Sequence, residues 1–497
     1  MRDYVLLFIN GVRCEVRGDD VFQSLSDFLR YQRRLTGTKV VCAEGDCGSC
    51  TVLIGRPRDG RIEYRPVTSC IQFVAQLDGC HVISVEGLAY DGKLNPIQEA
   101  MIAEHGAQCG YCTPGMVASL CGLFDRSPQP SREEATRALV GNLCRCTGYD
   151  SILTAVSKVD RDGLRPIRQL YPDETLLPEL EIVAKESLEI CGAERTLFKP
   201  ATLADAIATR AAHQDTAILS GGTDLGVLWN KGKRELRSLL CLTDVPELRG
   251  SSVTNGIWSL GAGTTIAELE REALEVLPEY GRMLERFGSP PIKNAGTLGG
   301  NLANGSPIGD SLPALFVLDA EVELIGPGGS RRVNLNQFYT GYRRSVLQSD
   351  ELIRAVHIPL PAAGDAFGVY KISRRRDLDI STFTAAIVMR VDDDVIRAAR
   401  IAYGGVAATV LRLNRTEEWL IDRPLTELTL QHAGQLARQE IKPLSDVRGS
   451  SDYRLQLAEN ILVKFGRQFD AKCVSASNGR QYKPDAQARD TTQDRPF

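Results

Sequence analysis

Cys42-Ala-Glu-Gly-Asp-Cys47-Gly-Ser-Cys50, with Cys70 further along, sets four thiols at a C-x₄-C-x₂-C…C spacing. Thiolates are soft donors that hold iron, and two irons bridged by sulfide need four of them, so the pattern fits a [2Fe–2S] cluster. Gly45 and Gly48 let the loop wrap closely, because a residue without a Cβ adopts positive φ and turns backbone N–H groups toward sulfur. A structural zinc knot also uses four cysteines. Zinc sites usually pair them at both ends, however, and Cys70 stands alone.

A second set follows. Gln108-Cys109-Gly-Tyr-Cys112-Thr-Pro114-Gly supplies C-x₂-C, and Cys144-Arg-Cys146-Thr-Gly-Tyr149 supplies C-x-C. Both are expected at helix beginnings, where unpaired N–H groups and the positive dipole end favour an anionic cluster. Cys-x-Cys is too tight for an ordinary zinc knuckle, so a second [2Fe–2S] cluster is the better reading. Cys14, Cys80, Cys121, Cys191, Cys241 and Cys473 are assigned to packing.

Two glycine loops carry the remaining chemistry. Ala217-Ile-Leu-Ser-Gly-Gly-Thr-Asp-Leu225 is an apolar strand running into a glycine turn, and Ile292-Lys-Asn-Ala-Gly-Thr-Leu-Gly-Gly-Asn301 is followed by Ser306-Pro-Ile-Gly-Asp310. Paired glycine loops let backbone amides approach a pyrophosphate, and Asp310 could bind a sugar hydroxyl. Alone, each Gly-Gly is mostly just a turn. Gly261-Ala-Gly263-Thr-Thr-Ile266 lacks the third glycine of the dinucleotide fingerprint, which argues against a Rossmann fold. No Ser/His/Asp arrangement is suggested, and with five histidines no catalytic acid–base residue is assigned.

The elements that must position these groups follow from local signals. Residues 4–9 and 12–16 flank Asn10-Gly11, a hairpin signal. Ser24 or Ser26 caps a helix to about Arg34, Thr51–Ile54 returns as a strand, Cys70 opens a short helical stretch, and His81–Val85 closes the unit. Asn95-Pro96 starts a helix to about Gly106, a second helix runs from the Cys109 motif to about Asp125, Ser131-Arg-Glu-Glu134 is a capping box for a third, and a fourth follows Tyr149. From about 196 strands and helices alternate. Strands near 383–390 and 399–403 precede helices at about 414–421, 425–438 and 451–467.

A chain of 497 residues implies roughly three domains. Its net charge of −4 and pI near 5.9 argue against a nucleic-acid partner. The start, Met-Arg-Asp-Tyr, has no signal-peptide layout, and no apolar run would span a bilayer. Fourteen cysteines without a secretion signal point to a reducing compartment, so the expectation is a cytoplasmic protein.

The two cysteine motifs together resemble the iron–sulfur region of the xanthine dehydrogenase family of molybdenum hydroxylases, and the glycine loops are similar to its flavin domain. The resemblance implies an α+β multidomain fold. Its parts are a plant-type ferredoxin-like β-grasp domain (1–88), a four-helix [2Fe–2S] domain (89–160), a linker (161–195), a two-lobed FAD-binding α+β domain of the vanillyl-alcohol-oxidase type (196–362) and a C-terminal α+β flavoprotein lobe (367–470). Residues 474–497 are expected to be a disordered tail. The resemblance further implies that Cys42, Cys47, Cys50 and Cys70 hold one cluster and Cys109, Cys112, Cys144 and Cys146 the other. FAD would be cradled by Ile218, Leu219, Ser220, Gly221, Gly222, Thr223, Asp224 and Leu225 with Thr297, Leu298, Gly299, Gly300 and Asn301, and contacted by Phe287, Asp310, Ile353 and Lys371.

Nothing after residue 470 could build a molybdenum domain. The family pattern therefore implies the small subunit of a two-chain bacterial enzyme, in a heterotetramer of two small and two large chains, with the molybdenum cofactor on the large one. Electrons from purine hydroxylation would enter at the Cys109 set, pass to the Cys42 set, reach FAD and leave as hydride to NAD⁺. Another molybdenum hydroxylase, such as an aldehyde oxidoreductase, is the nearest alternative, and a zinc-stabilised interaction protein is one of a different class.

Overall fold

The computed structural model describes residues 2–477. Asn10 and Gly11 both take positive φ, as a two-residue hairpin needs, and join Val5–Ile9 to Val12–Val16. Val5–Ile9 then pairs in parallel with Cys80–Ile83, which pairs with Thr51–Arg58, and Arg61–Thr68 closes a five-stranded mixed sheet. The helix expected after Ser24 is shorter and wider than its pattern suggested. Ser24 accepts from the Asp27 N–H, three residues are α-helical, and Phe28–Gln32 widens into a π turn.

Four helices follow: Pro96–Ala103, Thr113–Arg126, Arg132–Ala138 and Asp150–Ser157. Asn95 and Ser131 form capping boxes at the first and third. One face of the first sheet, through Leu6, Phe8 and Leu53, packs on this bundle through Met116 and Leu120.

The stretch 161–195 is folded rather than an irregular linker. It contains the helices Ile167–Leu170 and Asp173–Ala184 and the strand Leu188–Cys191. Leu176, Leu180 and Val183 lie at i, i+4 and i+7 and are buried against the iron–sulfur region, a stripe that Pro178 inside the helix had obscured.

Two sheet-based lobes come next. The first is a four-stranded sheet, Leu188–Cys191, Thr196–Lys199, Ser238–Cys241 and Ala217–Leu219. The second is a five-stranded antiparallel sheet in the order Ser251–Thr254, Ile257–Gly261, Leu352–Pro359, Glu321–Gly326 and Gly329–Asn334. The first sheet of the molecule and the first of these lobes share one core: Val5, Leu7, Val52 and Val82 are continuous with Leu188, Ile190, Leu197 and Leu239. The N-terminal unit is thus packed into its neighbour and does not stand apart.

The C-terminal lobe is a sheet of Asp365–Ile372, Phe383–Asp392, Val395–Gly404 and Leu411–Arg412, backed by Asn414–Leu420, Glu427–Glu440 and Ser451–Ser477. The last helix enters the segment expected as a disordered tail and runs to Ser477, while residues 478–497 lie outside the described residues.

Candidate functional site

Cys42, Cys47 and Cys50 lie on an irregular loop, and Cys70 sits in the 3₁₀ turn Ser69–Ile71. Cys50 and Cys70 are 1% and 2% exposed. The four thiols meet. Hydrogen bonds from Cys47 and Cys70 hold the Cys42 thiol far below its ordinary range, while Cys42 and Cys50 push Cys70 up. The Glu44 N–H points at Cys42 Sγ over 3.4 Å. Gly48 has φ of +66°, and a Cβ there would lie 2.1 Å from the Gly141 carbonyl, so only glycine fits.

The second set also converges. Cys112 is the N-cap of Thr113–Arg126, with its thiol beside Cys144, and Cys109 is beside Cys146. Burial, then the neighbouring Cys144, pushes Cys112 up to about 12. Burial acts the same way on Cys144, but Thr147 donates to its sulfur and leaves it below an ordinary thiol. Tyr149, at φ of +70°, turns its hydroxyl back to accept from the Cys144 N–H at 2.9 Å. Cys144 and Cys146 lie in the loop before Asp150–Ser157 rather than in its first turn.

Both donor sets suit a [2Fe–2S] cluster: four thiols, glycine-tightened loops and N–H groups directed at sulfur. Among the described residues no three or more His, Cys, Asp or Glu side chains close round a single metal ion.

The two glycine loops come together around a cavity of about 460 Å³. Ile218, Ser220, Gly221, Gly222, Thr223, Asp224, Leu225, Phe287, Thr297, Gly299, Gly300, Asn301 and Ile353 all line it. A Cβ at Gly221 would lie 2.3 Å from the Ala295 carbonyl, so the loops touch backbone to backbone. Ser220 and Thr297 share a hydroxyl hydrogen bond of 3.1 Å, and Thr297 caps Leu298–Asn304 by accepting from the Gly300 N–H. Leu219 and Leu298 are fully buried and face the core instead.

Asp310 and Lys371 are not among the lining residues. They form a buried ion pair with each other, and Ser381 Oγ donates to Asp310 Oδ1 at 2.5 Å. Their link to the cavity is indirect: Ser311 Oγ donates to Asn301 Oδ1 at 2.5 Å. Burial pushes the Asp310 carboxyl up, against the pull of Lys371.

Ala262, Gly263, Arg343 and Leu347 also line the cavity and were not anticipated. Ala262 and Gly263 belong to the Gly-Ala-Gly stretch set aside as a failed Rossmann motif. Rejecting the Rossmann reading left these residues without a role, although Ala262 and Gly263 lie beside the two glycine loops. Of the cysteines assigned to packing, Cys14, Cys80, Cys121 and Cys241 are buried, but Cys191 is exposed at the end of its strand; Cys473 lies beyond the described side chains.

The three regions touch in series. Asn142 Nδ2 donates to the Gly48 carbonyl at 3.1 Å, and the Leu143 N–H donates to the Cys47 carbonyl at 2.9 Å. Ile292, which lines the cavity, also packs on the cluster of Cys50, Cys70 and Ile71. Asn230 Nδ2 donates to the carbonyls of Ala43 and Cys70 at 3.0 and 2.8 Å.

Residues 84–157 match a [2Fe-2S] binding domain, 192–361 an FAD binding domain in molybdopterin dehydrogenase, and 368–469 a CO dehydrogenase flavoprotein C-terminal domain. Xanthine dehydrogenase of Drosophila pseudoobscura pseudoobscura is 30% identical over 93% of this chain and 39% of its own length. Aldehyde oxidase 2 of Macaca fascicularis is equally similar, at 30% over 93% and 39%. The chain therefore spans about two fifths of the curated relatives it matches. A solved chain of reconstituted CO dehydrogenase from Oligotropha carboxidovorans is 30% identical with a TM-score of 0.51, over 54% of this chain and 94% of that one. With two thiol sets and a glycine-loop cavity in series, the chain belongs to the iron–sulfur- and FAD-binding chains of the molybdenum hydroxylase family.

Proposed function

We propose that this chain is the electron-transfer part of a xanthine dehydrogenase, carrying electrons from purine hydroxylation on a molybdenum-bearing partner chain to NAD⁺. The observation that carries the reading is the serial contact described above: Leu143 on Cys47, then Ile292 shared between Cys50, Cys70 and the cavity. Bound clusters and FAD would supply one-electron carriers and the exchange between one- and two-electron chemistry.

The residues present would do the positioning. Cys109, Cys112, Cys144 and Cys146 would hold the cluster nearer the partner, because Cys109 and Cys146 are exposed. Cys42, Cys47, Cys50 and Cys70 would hold the inner one. The loops at 218–225 and 297–301 would cradle FAD, with Phe287 and Ile353 against it. Asp310 and Lys371 would act from behind, by fixing the wall that carries Asn301.

A heterotetramer with two large chains, and a cytoplasmic site of action, belong to the same proposal. Free cysteines throughout the described residues are in keeping with a reducing compartment. No helix among the described residues is long and apolar enough to cross a membrane. The equal similarity of aldehyde oxidase 2 supports a second reading, in which the partner's substrate is an aldehyde.

The test uses the chain purified with and without its co-purifying large chain. Alone, it should pass electrons from NADH to an artificial dye and leave xanthine unchanged; with the large chain, xanthine should reduce NAD⁺. Hydroxylation of xanthine by the isolated chain would overturn the reading, and aldehyde turnover without xanthine turnover would favour the second.

A further inference from the structure

Behind the glycine loops lies a second, smaller cavity of about 150 Å³, which adjoins the one assigned to FAD and shares Ser220, Gly221, Gly263 and Thr297 with it. Its walls come from the hairpin Thr51–Arg58/Arg61–Thr68 on one side, and from Ser220, Ala295 and the helix Ile266–Val276 on the other. Five arginines line it: Arg56, Arg58, Arg65, Arg249 and Arg271.

The carboxylates available are shared. Glu63 meets both Arg58 and Arg65, and Glu268 meets both Arg58 and Arg249, the latter only at 3.9 Å. One oxygen of Glu268 is also taken by the Thr265 N–H and hydroxyl. Asp244, the partner of Arg56 at 2.9 Å, is claimed by Lys199 as well. Arg271, exposed at the rim, has no ion pair or hydrogen bond among the described residues. Burial pushes the Arg249 guanidinium down, and although Asp244 pulls it up, Arg58 and Arg56 repel it further.

A second observation is independent of this charge. Gln72 lines the cavity and is only 4% exposed, yet its side-chain amide has no hydrogen-bond partner among the described residues. An occupant able to accept from this amide would also offset the excess of cations over carboxylates around the cavity. A water needs roughly 10–15 Å³ of such space, so the cavity has room for a small ion with waters and is far below nucleotide size.

We propose that this cavity binds a free tetrahedral oxyanion of the phosphate or sulfate class, held by forked arginine contacts and the Gln72 amide. Guanidinium groups match such oxygens in pairs, which a monatomic anion cannot satisfy. The bound anion bridges the N-terminal hairpin and the flavin-type lobe, and so stiffens the back of the glycine loops. The inference stands apart from the proposed electron route.

Calorimetric titration of inorganic phosphate into the cofactor-loaded protein, at constant ionic strength set with chloride, tests it. A single phosphate-specific site per chain is expected. Arg249→Gln and the exposed Arg271→Gln should each weaken it about tenfold, as expected for losing one charge-assisted contact, whereas the exposed Arg161→Gln should not. Because Arg271 is exposed, its variant keeps the test open if Arg249→Gln fails to fold. Absence of binding at millimolar phosphate, or unaltered binding by Arg271→Gln, overturns the proposal. Release of FAD on saturation with phosphate also overturns it, since the anion would then be occupying the flavin's own phosphate subsite.

Discussion

The Leu143 N–H donates to the Cys47 carbonyl over 2.9 Å, so the residue before Cys144 is tied to a residue of the other thiol set. Beside it, Asn142 is 1% exposed and bonds Gly48, Thr51 and Ser119. Asn142→Ala leaves the Gly48 carbonyl and the Ser119 hydroxyl without this partner in a buried setting. A loss of about 2 kcal/mol or more is expected in denaturant unfolding, with iron released from both sets. Stability equal to the parent protein would show that the two loops do not depend on this side chain.

Cys112→Ser should remove one reduced-state paramagnetic signal and leave the other. The two thiol sets share no cysteine, and the fully loaded parent should carry about four irons per chain. Simultaneous loss of both signals, or two irons in the loaded parent, contradicts separate clusters.

The flavin should be FAD, released intact by denaturation and identified by chromatography. Two glycine loops bordering one cavity suit a pyrophosphate, which FMN lacks. Among the described residues no His or Cys lines that cavity for covalent attachment. Flavin remaining on the unfolded chain would count against this.

Asp310→Ala should act first on stability. It strips the carboxylate from the buried Lys371 ammonium, a change that costs about 3–5 kcal/mol in comparable pairs. Asp310→Leu combined with Lys371→Met should recover much of the loss, because the pair is then replaced rather than broken. A single variant as stable as the parent, in denaturant titration, would mean the pair contributes little.

His81 makes the fold acid-sensitive. Its Nε2 accepts from the Gly11 N–H at 3.0 Å, so Nδ1 carries the proton and donates to the Tyr64 hydroxyl at 2.7 Å. Burial holds it neutral, with its pKa lowered from 6.5 to about 3. Below pH 6.5 the unfolded chain binds a proton that the folded chain refuses, so stability falls with pH down to about 3. The full effect is of order 4–5 kcal/mol. His81→Gln should flatten that part of the profile in urea unfolding measured against pH, and an unchanged slope would rule His81 out as its source.

Much of this was legible because it is local. Cys42 to Cys50 and Cys144 to Cys146 are held at their spacing by the covalent chain, and a few residues of backbone decide which cluster they can bind. The Asn10-Gly11 turn and the Asn95 and Ser131 caps are equally short-range. Each glycine stretch was legible as a tight turn, but nothing in either one says that Gly221 would meet Ala295.

What only the tertiary structure decided is long-range. Asp310 and Lys371 lie 61 residues apart and found each other in the interior, because a buried charge is stable only when paired. Ile292 reads as an ordinary apolar residue until the fold sets it between two cysteines and a cavity. The folding of 161–195 depended on an apolar stripe that matters only once there is a surface to cover. The arginine cavity has contributors on three separate segments, and its excess charge exists only after packing has shared out the carboxylates. Spacing along the chain sets which donors can act together locally; close packing, which the linear order does not encode, sets which distant groups must satisfy one another.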